Sequence, residues 1–131
     1  MLSVVGTVAL DSLALVPRLA APETTGGVER LHPDLPGGTG GNVAMALARL
    51  GARPRLLSAV GPDFAGSPYA RALADAGVDL TGLVHAPEPT SRAYVFVDPA
   101  GGQVTYFYPG ASRAMGRVVA PEGRAHFGAG E

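Results

Sequence analysis

Four glycines in six residues, Gly37-Gly38-Thr39-Gly40-Gly41-Asn42, run directly into Val43-Ala44-Met45-Ala46-Leu47-Ala48-Arg49-Leu50-Gly51. The alanines favour helix, Val43, Leu47 and Leu50 recur at i, i+4 and i+7, and Gly51 suits the position just past a helix end. Asn42 is the natural N-cap. A glycine loop feeding a helix is the arrangement in which bare backbone approaches a ligand or another chain segment closely.

The flanking segments place this loop in an α/β chain. Leu2 to Leu10 is a nearly continuous apolar run, expected as one strand buried on both faces and closed by Asp11. Leu13 to Val16 and Val28 to Leu31 predict two short strands around a loop of Pro, Thr and Gly. Arg55 to Val60 predicts a second core strand. Ser67 then caps a helix with Pro68 at its first position, an apolar face of Tyr69, Leu73 and Ala76, and Gly77 at its end. Strand, helix, strand, helix predicts a parallel sheet.

Beyond this the pattern changes. Ala93 to Val97 and Val104 to Tyr108 predict a hairpin across Asp98-Pro99-Ala100-Gly101-Gly102-Gln103. Ala93, Val95 and Val97 occupy one face and Tyr94 and Phe96 the other. A solvated hairpin alternates with polar residues, so these strands are expected to be covered twice, by ligand and by another subunit. After Arg113 no period is sustained and no element is assigned.

Composition removes several chemistries. The ten basic residues are all Arg, so neither a Schiff-base lysine nor a Walker A lysine is present. Cysteine is absent, which excludes disulfides and thiol catalysis. His32, His85 and His126 lack metal-ligand spacing, and no metal site is expected. A net charge of −1 offers no attraction for nucleic acid or an anionic membrane, and no apolar run approaches a span. A cytoplasmic protein is the default expectation.

Asp11 follows the first strand, at the rim where open α/β sheets place ligands, and the glycine loop is expected on the same rim. A carboxylate accepting two hydroxyls, an Asn amide that donates and accepts, and bare backbone form a set suited to a polyhydroxylated ligand. Asn42 is the single asparagine of the chain. Taken alone, the loop is equally compatible with an ordinary tight turn ahead of a helix, and Asp11 with a strand-end turn residue. A dinucleotide-binding reading is disfavoured: from Gly38-Thr39-Gly40 the third glycine position is Val43, and no acidic residue ends the second strand.

The run Gly37 to Ala44 with Ala48-Arg49-Leu50-Gly51-Ala52 resembles the first signature of the pfkB (ribokinase-like) carbohydrate and nucleoside kinases. It stands in series with Gly6 and Asp11, Val60-Gly61-Pro62-Asp63-Phe64-Ala65-Gly66, Leu73 to Asp79, Thr90 and Phe107-Tyr108-Pro109-Gly110-Ala111. The last segment is similar to the adenosine-kinase-like branch. The resemblance covers residues 2–113 and implies part of a doubly wound parallel sheet with a small β lid. It implies that Asp11, Gly37, Gly38, Thr39 and Asn42 bind a sugar or nucleoside, and that Ala93, Val95 and Phe107 belong to the lid. A homodimer through the lid follows from the same likeness.

In that family ATP with Mg²⁺ donates a phosphoryl group to a substrate hydroxyl, with a carboxylate base and a Gly-Ala-Gly-Asp turn as anion hole. The only counterpart here is Gly128-Ala129-Gly130-Glu131, with Glu for Asp. The expectation is therefore a substrate-binding half over residues 1–113 and an irregular tail over 114–131, a truncation or frameshift product inactive alone. The alternative is a non-catalytic binding or pairing module that keeps the sugar site.

Overall fold

The computed structural model describes residues 1–119. Strand β1 (Ser3–Val5) pairs in parallel with β4 (Arg55–Leu57), Val4 opposite Leu56. Strand β5 (Ala59–Val60) pairs in parallel with β6 (Val84–His85). Helices α1 (Thr39–Arg49) and α2 (Pro68–Asp75) complete this parallel α/β unit. Val4, Val8, Leu10, Leu56, Val60, Phe64, Tyr69 and Leu73 form its core. Each large apolar side chain enclosed there contributes roughly 1.5–3 kcal/mol.

The second unit is a four-stranded sheet in the order β3 (Arg30–Gly37), β2 (Ala9–Leu15), β7 (Arg92–Val97), β8 (Gln103–Tyr108). β2 runs antiparallel to β3 and parallel to β7, and β7 and β8 form the expected hairpin. The parallel part is thus two two-stranded ladders, because the strand expected over Arg55 to Val60 breaks at Ser58, with a separate four-stranded sheet beside them.

Several local expectations hold. Ser67 accepts the Ala70 N–H at 3.1 Å with Pro68 in the first turn, and Gly77 ends the helix at φ 93°. Gly51 takes φ 90°, with the Ala52 N–H returning to Leu47, as in a glycine-terminated helix.

Others are corrected. The run Leu2 to Leu10 is not one strand: it breaks at Gly6-Thr7-Val8, because the Thr7 carbonyl turns out to accept the Gly40 and Gly41 N–H groups. Asp11 consequently lies inside β2, not at the end of the first core strand. The strand expected at Val28 to Leu31 begins at Arg30 and continues to Gly37. Its side chains are nearly all exposed, so pairing with β2 rather than hydrophobic pattern defines it.

Asn42 is not the N-cap. Helix α1 starts at Thr39 after Gly38, whose φ of 84° suits only glycine, and backbone rather than a side chain satisfies its first amides. The expected apolar row is also displaced. Gly40, Gly41 and Ala44 form the buried face, while Val43 is exposed and Leu50 is 84% exposed. Small residues let the helix approach the core closely, which turns the larger ones outward. Finally, the segment after Arg113 is not featureless: α3 (Met115–Val119) follows a 3-10 turn over Gly110–Ala114, and Val118 is buried with Leu57, Ala59 and Val84. His126 and Gly128 to Glu131 lie outside the described residues.

Candidate functional site

The glycine loop and Asp11 meet where the two units join. Gly37 pairs with Ala9 at the end of β3, and a side chain on Gly37 would collide with the Asp11 carboxylate. Oδ1 of Asp11 accepts the Ala93 N–H at 3.0 Å, so the carboxylate is held between two strands. Beyond Asp11 the register with β3 shifts before Leu13, a bulge that bends the strand where it enters the outer sheet. Asp34, at φ 56°, lies on the opposite side of this bulge. Its carboxylate accepts from Arg92 at 2.6 Å, and Arg92 also donates to Ser12 at 3.0 Å. The bend is thus tied across β2, β3 and β7.

The β2–β7 register places Leu13 opposite Val95, and Ala93 pairs with Phe107. By the alternation of strand side chains, Asp11, Ala93, Val95 and Phe107 share one face of the sheet. Ala93 and Val95 are half-buried there and Phe107 is 56% exposed. Thr39 and Asn42 are exposed on the first turns of α1, and the carboxamide side chain of Asn42 makes no hydrogen bond among the described residues.

The helix start is less open than the sequence suggests. Gly40 and Gly41 N–H groups donate to the Thr7 carbonyl at 2.9 and 3.2 Å, and the Asn42 N–H donates to Gly38 at 3.0 Å. Gly40 lies so close to the Gly6 backbone that neither residue tolerates a side chain. These amides are already used, so the loop is a close-packed wall rather than an anion cradle. Among the described residues no group of three or more His, Asp or Glu is arranged for a metal ion.

Two further features escaped the sequence reading. Asp63 accepts both the Thr90 hydroxyl at 2.6 Å and the Thr90 N–H at 2.8 Å, and Thr90 Oγ1 accepts the Gly61 N–H at 2.9 Å. This half-buried brace fixes the entry of β7, and with it Ala93. Both residues are prominent in the sequence, but their pairing across 27 positions leaves no periodic signal. The other feature is Tyr69, legible only as part of the apolar face of α2. Its ring packs edge-on against Phe64, and its oxygen reaches Gly41, where a side chain would collide with it. Burial, and then the charge of Asp11, pushes its phenol up to about 12.

The pfkB family carbohydrate kinase profile matches residues 1–122. This chain belongs to the pfkB family of carbohydrate kinases. A nucleoside kinase of Methanothermobacter thermautotrophicus is 39% identical over 110 residues, which is 83% of this chain and 35% of that protein. A ribokinase of Haemophilus influenzae is 30% identical over 95% of this chain and 40% of its own length. Among solved structures, the nucleoside kinase of Methanocaldococcus jannaschii superimposes with a TM-score of 0.80 at 32% identity. It covers 86% of this chain and 38% of that one. The pfkB chain therefore spans little more than a third of the length of these relatives, and its ribokinase-like fold is the part that they share. No helix among the described residues is long and apolar enough to cross a membrane.

Proposed function

We propose that this chain supplies the substrate-hydroxyl site of a sugar or nucleoside kinase and does not transfer phosphate by itself. In this reading Asp11 accepts two hydroxyls of the ligand, Asn42 donates and accepts, and Gly37, Gly38 and Thr39 let the backbone close on the sugar ring. Ala93, Val95 and Phe107 form a lid over it. The observation that carries the reading is the shared face: a braced carboxylate and an open apolar surface lie side by side, as a ring with hydroxyls at its edge requires. The likeness to a nucleoside kinase at 39% identity favours a ribonucleoside over a free sugar.

ATP and Mg²⁺ belong to the complete enzyme, which this reading places in the cytoplasm. Their phosphoryl chemistry needs a base and an anion hole, which this reading assigns to the rest of the complete enzyme. Exposed Tyr94, Val104 and Tyr106 on the opposite face supply the surface for a homodimer.

Calorimetric titration with adenosine and with ribose, each with and without Mg-ATP, tests the function. Binding of one of them is expected, unaffected by ATP. Asp11→Ala should weaken that binding by about 1.5–3 kcal/mol, as for hydrogen bonds to a charged group. Equal affinity of a folded Asp11→Ala variant removes Asp11 from the site. ATP-dependent formation of a phosphorylated product would overturn the claim of inactivity.

A further inference from the structure

The β2–β3 register leaves Ser12 opposite two residues, Pro33 and Asp34, because Asp11 faces Leu35 and Leu13 faces His32. Asp34 takes up the extra residue of the bulge in the left-handed region, at φ 56°. On its other side β2 is interrupted at the same level. Ala9 bridges to Ser91 and regular pairing resumes at Ser12 and Tyr94, with no pair formed between those two points among the described residues. In that gap the Ala93 N–H donates to Oδ1 of Asp11 at 3.0 Å. A side-chain oxygen thus stands where a ladder carbonyl would ordinarily receive the amide.

Arg92 spans the same level from the opposite face. Strand alternation sends its side chain away from that of Ala93. Its guanidinium donates to Ser12 Oγ at 3.0 Å and to Asp34 Oδ1 at 2.6 Å, one acceptor on each strand of the bulge. An ion pair with an exposed carboxylate adds little to stability by itself. What sets this one apart is its place. In β2 it holds the residue that follows Asp11, and in β7 it precedes the amide that Asp11 accepts. A planar fork reaches two acceptors on two strands at once, whereas a lysine offers a single charged point.

We propose that Arg92 is a positioning residue for Asp11: by gripping Ser12 and Asp34 across the bulge, it fixes β2 against β7 so that the Ala93 N–H meets the Asp11 carboxylate and holds it toward the ligand hydroxyls. The proposal rests on the reading of Asp11 as the hydroxyl acceptor. It also accounts for the left-handed Asp34, whose conformation brings a carboxylate within reach of β7 from the far strand of the bulge.

Arg92→Met tests this, because the fork is lost and most of the aliphatic stem is kept. The variant is expected to bind adenosine or ribose, whichever the parent binds, about threefold to tenfold more weakly. In an Asp11→Ala background the same change should have little further effect, since both act through one carboxylate. A ligand-free arm follows amide hydrogen exchange by NMR. The Ala93 N–H should exchange about tenfold faster in Arg92→Met, while that of Val97, in the regular part of the β2–β7 ladder, keeps its parent rate. Should Arg92→Met not fold, Asp34→Asn at the exposed end of the clamp carries the same test, with a smaller change in the same direction.

Parent-like affinity in a folded Arg92→Met protein would overturn the proposal. Unchanged exchange at Ala93 overturns it equally, and so does equal acceleration at Ala93 and Val97, the clamp then being a general support of the sheet. If the parent binds neither adenosine nor ribose, the functional reading fails, and the exchange rates still decide whether Arg92 holds the bond between Ala93 and Asp11.

Discussion

Leu56, Leu57, Val60 and Leu73 of the parallel unit are fully enclosed, whereas Leu31, Tyr106 and Phe107 of the four-stranded sheet stand mostly in the open. Both regions are written in apolar, strand-forming residues. The parallel strands bury them under α1 and α2, while the outer sheet satisfies its backbone in regular ladders and leaves side chains exposed on both faces. Ladder hydrogen bonds give this sheet its shape, and burial gives the core its stability. An apolar surface that the fold itself does not cover is available for a ligand or a partner.

The comparison breaks most easily in the core. Leu73→Ala should cost about 2–5 kcal/mol, since it opens a cavity among fully buried neighbours. Urea denaturation would read this as a shift in midpoint; a loss below about 1 kcal/mol would mean that the core is no better packed than the sheet.

A smaller effect concerns the charge that ties β4 to the segment after α2. The Thr81 hydroxyl and backbone N–H, with Arg55 adding at 3.0 Å, hold Asp79 down to about 2. A carboxyl lowered on folding stabilises above its unfolded pKa, near 4, and that contribution disappears as pH falls toward 2. Melting temperatures measured between pH 5 and pH 2 should therefore fall less steeply in Asp79→Asn than in the parent. Parallel curves would show that the carboxylate adds nothing to the core.

The smallest effect on the monomer is expected in the sheet. Tyr106, 68% exposed, should tolerate Ser with a change within about 0.5 kcal/mol. If its face pairs two copies, the same substitution should move the sedimentation profile from dimer toward monomer. A large loss of monomer stability would instead show that this face is already covered.

The α2 cap, the Gly51 and Gly77 helix ends and the β7–β8 hairpin were legible because each depends on residues close together in sequence. What was not legible depended on distant backbone. The break at Gly6-Thr7-Val8 and the early start of α1 follow from one carbonyl meeting two amides more than thirty positions away. The outward turn of Val43 and Leu50 follows from which helix face carries the small residues, a choice that periodicity alone ranks the wrong way. At the candidate site, Asp11 and Gly37 were singled out and are in contact, while the Asp63–Thr90 brace and the oxygen of Tyr69 have no one-dimensional signal.

The Thr7 carbonyl has one more implication. By accepting the Gly40 and Gly41 N–H groups, it occupies donors that the start of a helix would otherwise offer to an anion. A neutral alcohol meets only close-packed glycine there, while a phosphate would have to displace a carbonyl already gripped by two amides. On the proposed reading of the site, a neutral alcohol is expected to be the better guest at that end than its phosphate ester.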